Sequence, residues 1–133
     1  MTLVVDASVA TLWVLDQDGS ERALALRNED SLIAPSLIAA EIGSALWKAV
    51  RRAETTPKSA LIALQSALLP FRQLVPDEEL SERAMELAIE LNHPIYDCLY
   101  LALAERERCG LATADKRLLS AAKKLKHVEV TAL

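Results

Sequence analysis

Residues 3–15 read LVVDASVATLWVL, and the order of residue types in this stretch decides the fold. Leu3, Val4 and Val5 form an unbroken apolar run, the pattern of a strand buried on both faces. Apolar residues resume at Val9 and continue as a helical stretch over 8–15. Between strand and helix stands Asp6. A carboxylate at the end of a buried strand is costly unless something pairs with it or uses it.

The same grammar repeats along the chain. Short apolar runs at 3–5, 32–34, 73–75, 111–113 and 128–130 predict strands. Helical patterns lie between them near 8–15, 20–28, 36–53, 57–69, 77–91, 94–109 and 115–126. Pro35, Pro57, Pro70, Pro76 and Pro94 fall at the ends of these elements, where proline is tolerated. Strands alternating with helices predict an α/β fold, a parallel sheet covered on both faces. No repeat, low-complexity run or linker interrupts it, so residues 1–133 read as one domain.

A chain of 133 residues is long enough to bury a continuous core. Hydrophobic residues make up 52% and aromatic ones only 4%, which predicts an aliphatic core and a further buried surface such as a dimer interface. The net charge of −4 gives no chain-wide basic footprint, so a polyanionic partner needs local basic residues or a bound cation. Cys98 and Cys109, placed on one helix, are separated by roughly 16 Å, too far for a disulfide. They read as free thiols in a reducing compartment. No basic region precedes the first apolar run and no segment is long enough to span a bilayer, so a cytoplasmic protein without a membrane partner is expected.

Ligands of open α/β sheets bind beyond the carboxyl ends of the strands. Asp6 ends the first strand, and Asp115, after Leu111-Ala112-Thr113, lies on the same edge. Either Asp alone is adequately explained as a helix N-cap. Two further acids are harder to dismiss. Glu41 lies at the edge of the apolar stripe of Ile38, Ile42, Leu46 and Val50 in PSLIAAEIGSALWKAVRR. Asp97 is the only acid in the first ten residues of PIYDCLYLALAERER, a helix apolar nearly all round. The helix dipole offers a first-turn carboxylate about 1 kcal/mol at best, less than burying an unpaired charge costs. Four bare carboxylates cannot converge without protons or a cation, since two charges 4 Å apart repel by about 4 kcal/mol at an effective dielectric of 20. Oxygen-only ligation selects Mg²⁺ or Mn²⁺. His93, Cys98, Cys109 and His127 show no zinc-site spacing.

Together VVDAS, PSLIAAEIGSAL, NHPIYDCLYLALA and LATADKRL, in this order over essentially the whole chain, resemble a PIN-domain ribonuclease, most nearly the VapC-type toxins of toxin–antitoxin pairs. The resemblance implies a three-layer α/β/α sandwich with strand order 3-2-1-4-5. It implies a Mg²⁺- or Mn²⁺-dependent endoribonuclease whose products carry 5′-phosphate and 3′-hydroxyl ends. The family's acidic set falls on Asp6, Glu41, Asp97 and Asp115, as catalytic and metal-binding residues, and its polar supports on Ser8 and Thr113. Arg117 stands where some members carry a further acid, which leaves a second metal short of a ligand. A homodimer and an antitoxin whose tail covers the acidic pocket are also implied.

An acidic protein must hold RNA through local cations. Lys48 and Arg52 share nearly the angular row of Glu41, about 10 Å and 16 Å further along the helix. Lys116 and Arg117 follow Asp115 directly. Both pairs are candidates for the phosphates flanking the cut, although cations near a helix carboxyl end are favourable without RNA. Trp13 and Trp47 suit either the core or an interface. Two alternative functions fit the α/β pattern less well. A PIN fold used only as a binding module would not need all four acids. An Asp-nucleophile phosphatase wants a second acid two residues after the first, where this chain has Ser8.

Overall fold

Val4 and Val5 have no exposed surface, and a strand buried on both faces belongs in the middle of a sheet. The computed structural model describes residues 1–15, 17–28 and 31–133. In it the first strand, β1 (Thr2–Val5), is central. It pairs in parallel with β2 (Ser31–Pro35) on one side and β4 (Gly110–Thr113) on the other. β3 (Phe71–Val75) extends the sheet beyond β2 and β5 (Val130–Ala132) beyond β4, giving an all-parallel sheet of order 3-2-1-4-5. The helices are α1 (Ala7–Leu12), α2 (Ser20–Arg27), α3 (Ile38–Arg51), α4 (Pro57–Leu68), α5 (Ser81–Leu91), α6 (Ile95–Glu107) and α7 (Lys116–Ala122). Right-handed crossovers put α1–α4 on one face and α5–α7 on the other. The strand order reverses between β1 and β4, and that switch point opens the ligand crevice of such sheets.

The core is aliphatic, as the composition requires. Cys98 through Ala104 of α6 are all buried, packed on β1, β2 and β4. On α3 the buried stripe is Ile38, Ile42, Leu46 and Ala49, with Val50 only partly covered. Trp13 is buried and its indole Nε1–H donates to Ala23 O at 2.7 Å, tying α1 to α2. Trp47 is exposed, with the Arg51 guanidinium 4.9 Å above its ring.

Several boundaries differ from the sequence reading. β3 begins two residues early, at Phe71, because Arg72 and Gln73 are exposed on an edge strand and hide its apolar signal. β5 covers 130–132, not 128–130. Val128 is buried in the core, but its N–H still bonds Leu125 O in the preceding turn. The expected helix 77–91 is a 3-10 turn over Asp77–Glu79 followed by α5. Cys109 lies beyond the end of α6, not on it, and both cysteines are free thiols. No helix among the described residues is long and apolar enough to cross a membrane.

Candidate active site

Asp6 is only 4% exposed and is bonded on both oxygens. Its Oδ1 accepts from Ser8 Oγ at 2.6 Å and from the Val9 N–H at 3.2 Å, while Oδ2 accepts from Thr113 Oγ1. The capping role is therefore real: Asp6 is the N-cap of α1. A cap alone does not require the two added hydroxyls. Ser8 Oγ in turn accepts from Ala114 N–H and Thr113 Oγ1 from Asp115 N–H, both at 2.9 Å, so the same hydroxyls stitch the start of α1 to the end of β4. Burial drives the Asp6 pKa up to about 6. Its hydrogen bonds from Ser8, Thr113 and Val9 oppose the rise, and the charge of Asp115 adds to it.

Asp115 is the N-cap of α7, its Oδ1 accepting from Arg117 N–H at 2.8 Å. Glu41 sits in the first turn of α3, partly buried, and its pKa is raised. Burial is the main cause, a hydrogen bond from Tyr100 opposes it, and the charges of Asp97, Asp77 and Asp115 reinforce it. These mutual effects draw the four acids into one electrostatic neighbourhood at the carboxyl edge of the sheet: Asp6 feels Asp115, and Glu41 feels both Asp115 and Asp97.

Asp97, in the first turn of α6, differs from its sequence reading as an unpaired buried charge. Its side chain is partly exposed, and Oδ2 lies 2.6 Å from His93 Nε2. The local sequence explains the contact. Asn92 closes α5 in the left-handed conformation at φ 50°, His93 N–H bonds back to Ala88 O, and Pro94 launches α6. His93 is thereby fixed one turn before Asp97. Asp77 is a further acid that sequence reading passed over. Its Oδ1 accepts from Leu37 N–H at 3.0 Å and supplies the α3 cap that Leu37 lacks. The i,i+4 spacing of His93 and Asp97 was a readable signal. Nothing in the sequence marks Tyr100 as the partner of Glu41.

A groove of about 840 Å³ runs between α1, α2 and α3, and of the four acids Glu41 lines it while Asp6, Asp97 and Asp115 do not. Ser8, Glu41, Lys48 and Arg52 line it, together with Arg22 of α2, which sequence reading did not single out. Asp18 and Glu54 also face it, so the groove is of mixed charge. Lys116 and Arg117 are exposed at the start of α7, outside that lining.

None of the four carboxylates is paired to a Lys or Arg among the described residues, and carboxylate oxygen is the ligand type of a hard divalent cation. No three His, Cys, Asp or Glu side chains among the described residues are gathered closely enough to hold an ion between them. That is compatible with Mg²⁺, which keeps several waters and uses one or two carboxylates rather than a closed protein cage.

The PIN domain family model matches residues 3–124. Ribonuclease VapC3 of Pyrobaculum aerophilum is 32% identical over 121 residues, covering 89% of this chain and 92% of its own. Ribonuclease VapC9 of Mycobacterium tuberculosis is 37% identical over 120 residues, 87% of each chain. A crystal structure of a Pyrobaculum aerophilum protein superposes with a TM-score of 0.72 at 25% identity, covering 98% of this chain and 83% of that one. VapBC2 from Rickettsia felis, bound to a DNA fragment from its promoter, superposes at 0.73 over 100% of this chain and 99% of its own. At 15% identity it speaks for the fold alone.

Proposed function

The chain belongs to the PIN-domain family, beside the VapC ribonucleases, and from that premise we propose that it is a Mg²⁺- or Mn²⁺-dependent endoribonuclease and the toxin of a toxin–antitoxin pair. The observation that carries the reading is Asp6: a buried carboxylate at the strand switch point, with Asp115 raising its proton affinity further and no cation paired to it among the described residues. Asp6, Glu41, Asp97 and Asp115 would hold the cation. Held there, such a cation would supply positive charge to offset the phosphate and would lower the pKa of a water molecule. The chain's own residues do the rest. Ser8 and Thr113 fix both Asp6 oxygens, His93 orients Asp97, and Tyr100 engages one Glu41 oxygen. Any carboxylate not taken up by the cation can accept a proton from the attacking water.

The direct test is incubation of the purified protein with RNA. Cleavage is expected with Mg²⁺ or Mn²⁺, leaving 5′-phosphate ends, and none in excess chelator. Full activity in chelator would sink the proposal, and RNA binding without cleavage under every metal condition would favour the binding-module reading.

RNA would lie across the acids, its flanking phosphates on Lys48 and Arg52 in the groove and on Lys116 and Arg117 beyond Asp115. Removing either pair as alanines is expected to weaken binding and lower the salt slope of log K by about 1.4, two cations at about 0.7 each for a single strand. Filter binding across a salt series checks it. A pair whose loss leaves the slope at the wild-type value lies off the RNA track. The proposal includes a homodimer and an antitoxin partner. Exposed Leu61, Ile62 and Leu69 around α4 and Met85, Ile89 and Tyr96 on α5 and α6 offer apolar surface for such contacts.

A further inference from the structure

We propose that Tyr100 is a positioning residue that holds Glu41 inside the acidic site through a hydrogen bond between α6 and α3. The inference rests on the reading of Glu41 as part of the metal site. Tyr100 is 1% exposed, and its hydroxyl donates to Glu41 Oε1 at 2.6 Å across a sequence separation of 59 residues. A phenylalanine would fill the same buried space, so packing does not call for the hydroxyl. A buried tyrosine hydroxyl needs a partner, and here the partner is an acid on another helix.

Glu41 needs holding. It is a flexible side chain on a helix flank, and Asp97, Asp77 and Asp115 all repel it. Among the described residues no Lys or Arg pairs with it to offset that repulsion. Left alone, the carboxylate lowers its energy by swinging outward to water. Tyr100 opposes this with a short hydrogen bond to a charged acceptor, the stronger kind. A tyrosine hydroxyl is a proton donor at neutral pH, and here its acceptor is the Glu41 carboxylate. The hydroxyl engages Oε1 of Glu41, and the proposed role leaves Oε2 for the site.

The test is Tyr100→Phe, which keeps the ring and removes only the hydroxyl. Calorimetric titration with Mn²⁺ alone, without RNA, is expected to show affinity falling by about 10- to 100-fold, as for lost partners of metal-ligating side chains. The KM for RNA at saturating Mn²⁺ should stay at the wild-type value. A structural role would also permit a weaker site, so the deciding arm is Glu41→Gln with and without Tyr100→Phe. If Tyr100 acts through Glu41, the double variant binds Mn²⁺ no worse than Glu41→Gln alone. Unchanged Mn²⁺ affinity in Tyr100→Phe, or losses that multiply in the double variant, would overturn the positioning role while leaving the nuclease reading intact. A wild type that neither binds Mn²⁺ nor cuts RNA would overturn the metal-site reading and this role with it.

Discussion

Asp6→Asn is expected to slow RNA cleavage by about 10³-fold and, without metal at pH 7, to make the protein more stable by about 1 kcal/mol. The first effect follows from losing a ligand charge at the cation site. Lewis-acid stabilisation of a phosphoryl transition state is worth several kcal/mol, and about 4 kcal/mol corresponds to 10³ in rate. The second follows from burial. The Asp6 pKa is raised from 3.8 to about 6, so at pH 7 the folded protein carries a charge that the unfolded chain holds more comfortably. A shift of about 2 units corresponds to roughly 3 kcal/mol, an upper bound. Asparagine removes that cost, but its amide faces the Thr113 hydroxyl that donated to Oδ2, which offsets part of the gain. Asp97→Asn should also lose cleavage but gain no such stability, because Asp97 is partly exposed and already has His93 at 2.6 Å. Mg²⁺ should stabilise wild type, since it binds only the folded state, and Asp6→Asn less. Denaturant unfolding in chelator and then in Mg²⁺ measures both. Destabilised Asp6→Asn in chelator, with Mg²⁺ shifting neither protein, would reduce Asp6 to a cap.

What the sequence made legible follows from how each signal arises. The central strands were readable because each carries an unbroken run of buried apolar residues: Val4 and Val5 in β1, Leu32 to Ala34 in β2, Leu111 and Ala112 in β4. The edge strands were not read to their ends, because Arg72 and Gln73 face solvent in β3 and because Val128, although buried, belongs to a turn. Burial and ladder pairing are different events, and hydrophobicity reports only the first. The acids stood out because a charge at the end of a buried strand or in an apolar helix breaks a local pattern. Tyr100 broke none. It looks like any core aromatic until the fold brings α3 beside it. His93 has no zinc-site spacing, and its i,i+4 relation to Asp97 belongs to a different kind of contact. Asp77 and Arg22 become visible only when β3 and α2 are set against α3.

The raised proton affinity of Asp6 also fixes a pH dependence with opposite signs for catalysis and stability. Below pH of about 6 the carboxyl carries a proton in the metal-free folded protein, and a protonated acid is a poor ligand. At limiting Mn²⁺, cleavage should therefore fall about tenfold for each pH unit below 6, and saturating Mn²⁺ should move the fall to lower pH because metal competes with the proton. Stability without metal runs the other way. Between the unfolded value of 3.8 and the folded value of about 6 the native state binds more protons, so the penalty from Asp6 is full above pH 6 and is relieved as pH drops towards 4. Glu41 shifts in the same direction. Glu105, held low chiefly by Arg83, acts in the opposite sense, and its contribution is lost only at pH below its ordinary 4.5. The difference in metal-free stability between wild type and Asp6→Asn cancels what the two proteins share. Asp6→Asn should lead most at pH 7, and wild type should gain on it steadily as pH falls towards 4, overtaking it where the relieved penalty exceeds the net gain of about 1 kcal/mol. Unfolding curves of the two proteins across this range decide it. A difference that stays constant with pH would mean that Asp6 ionises as an ordinary carboxylate, and the strand end would not be the poised acid that the proposed metal site needs.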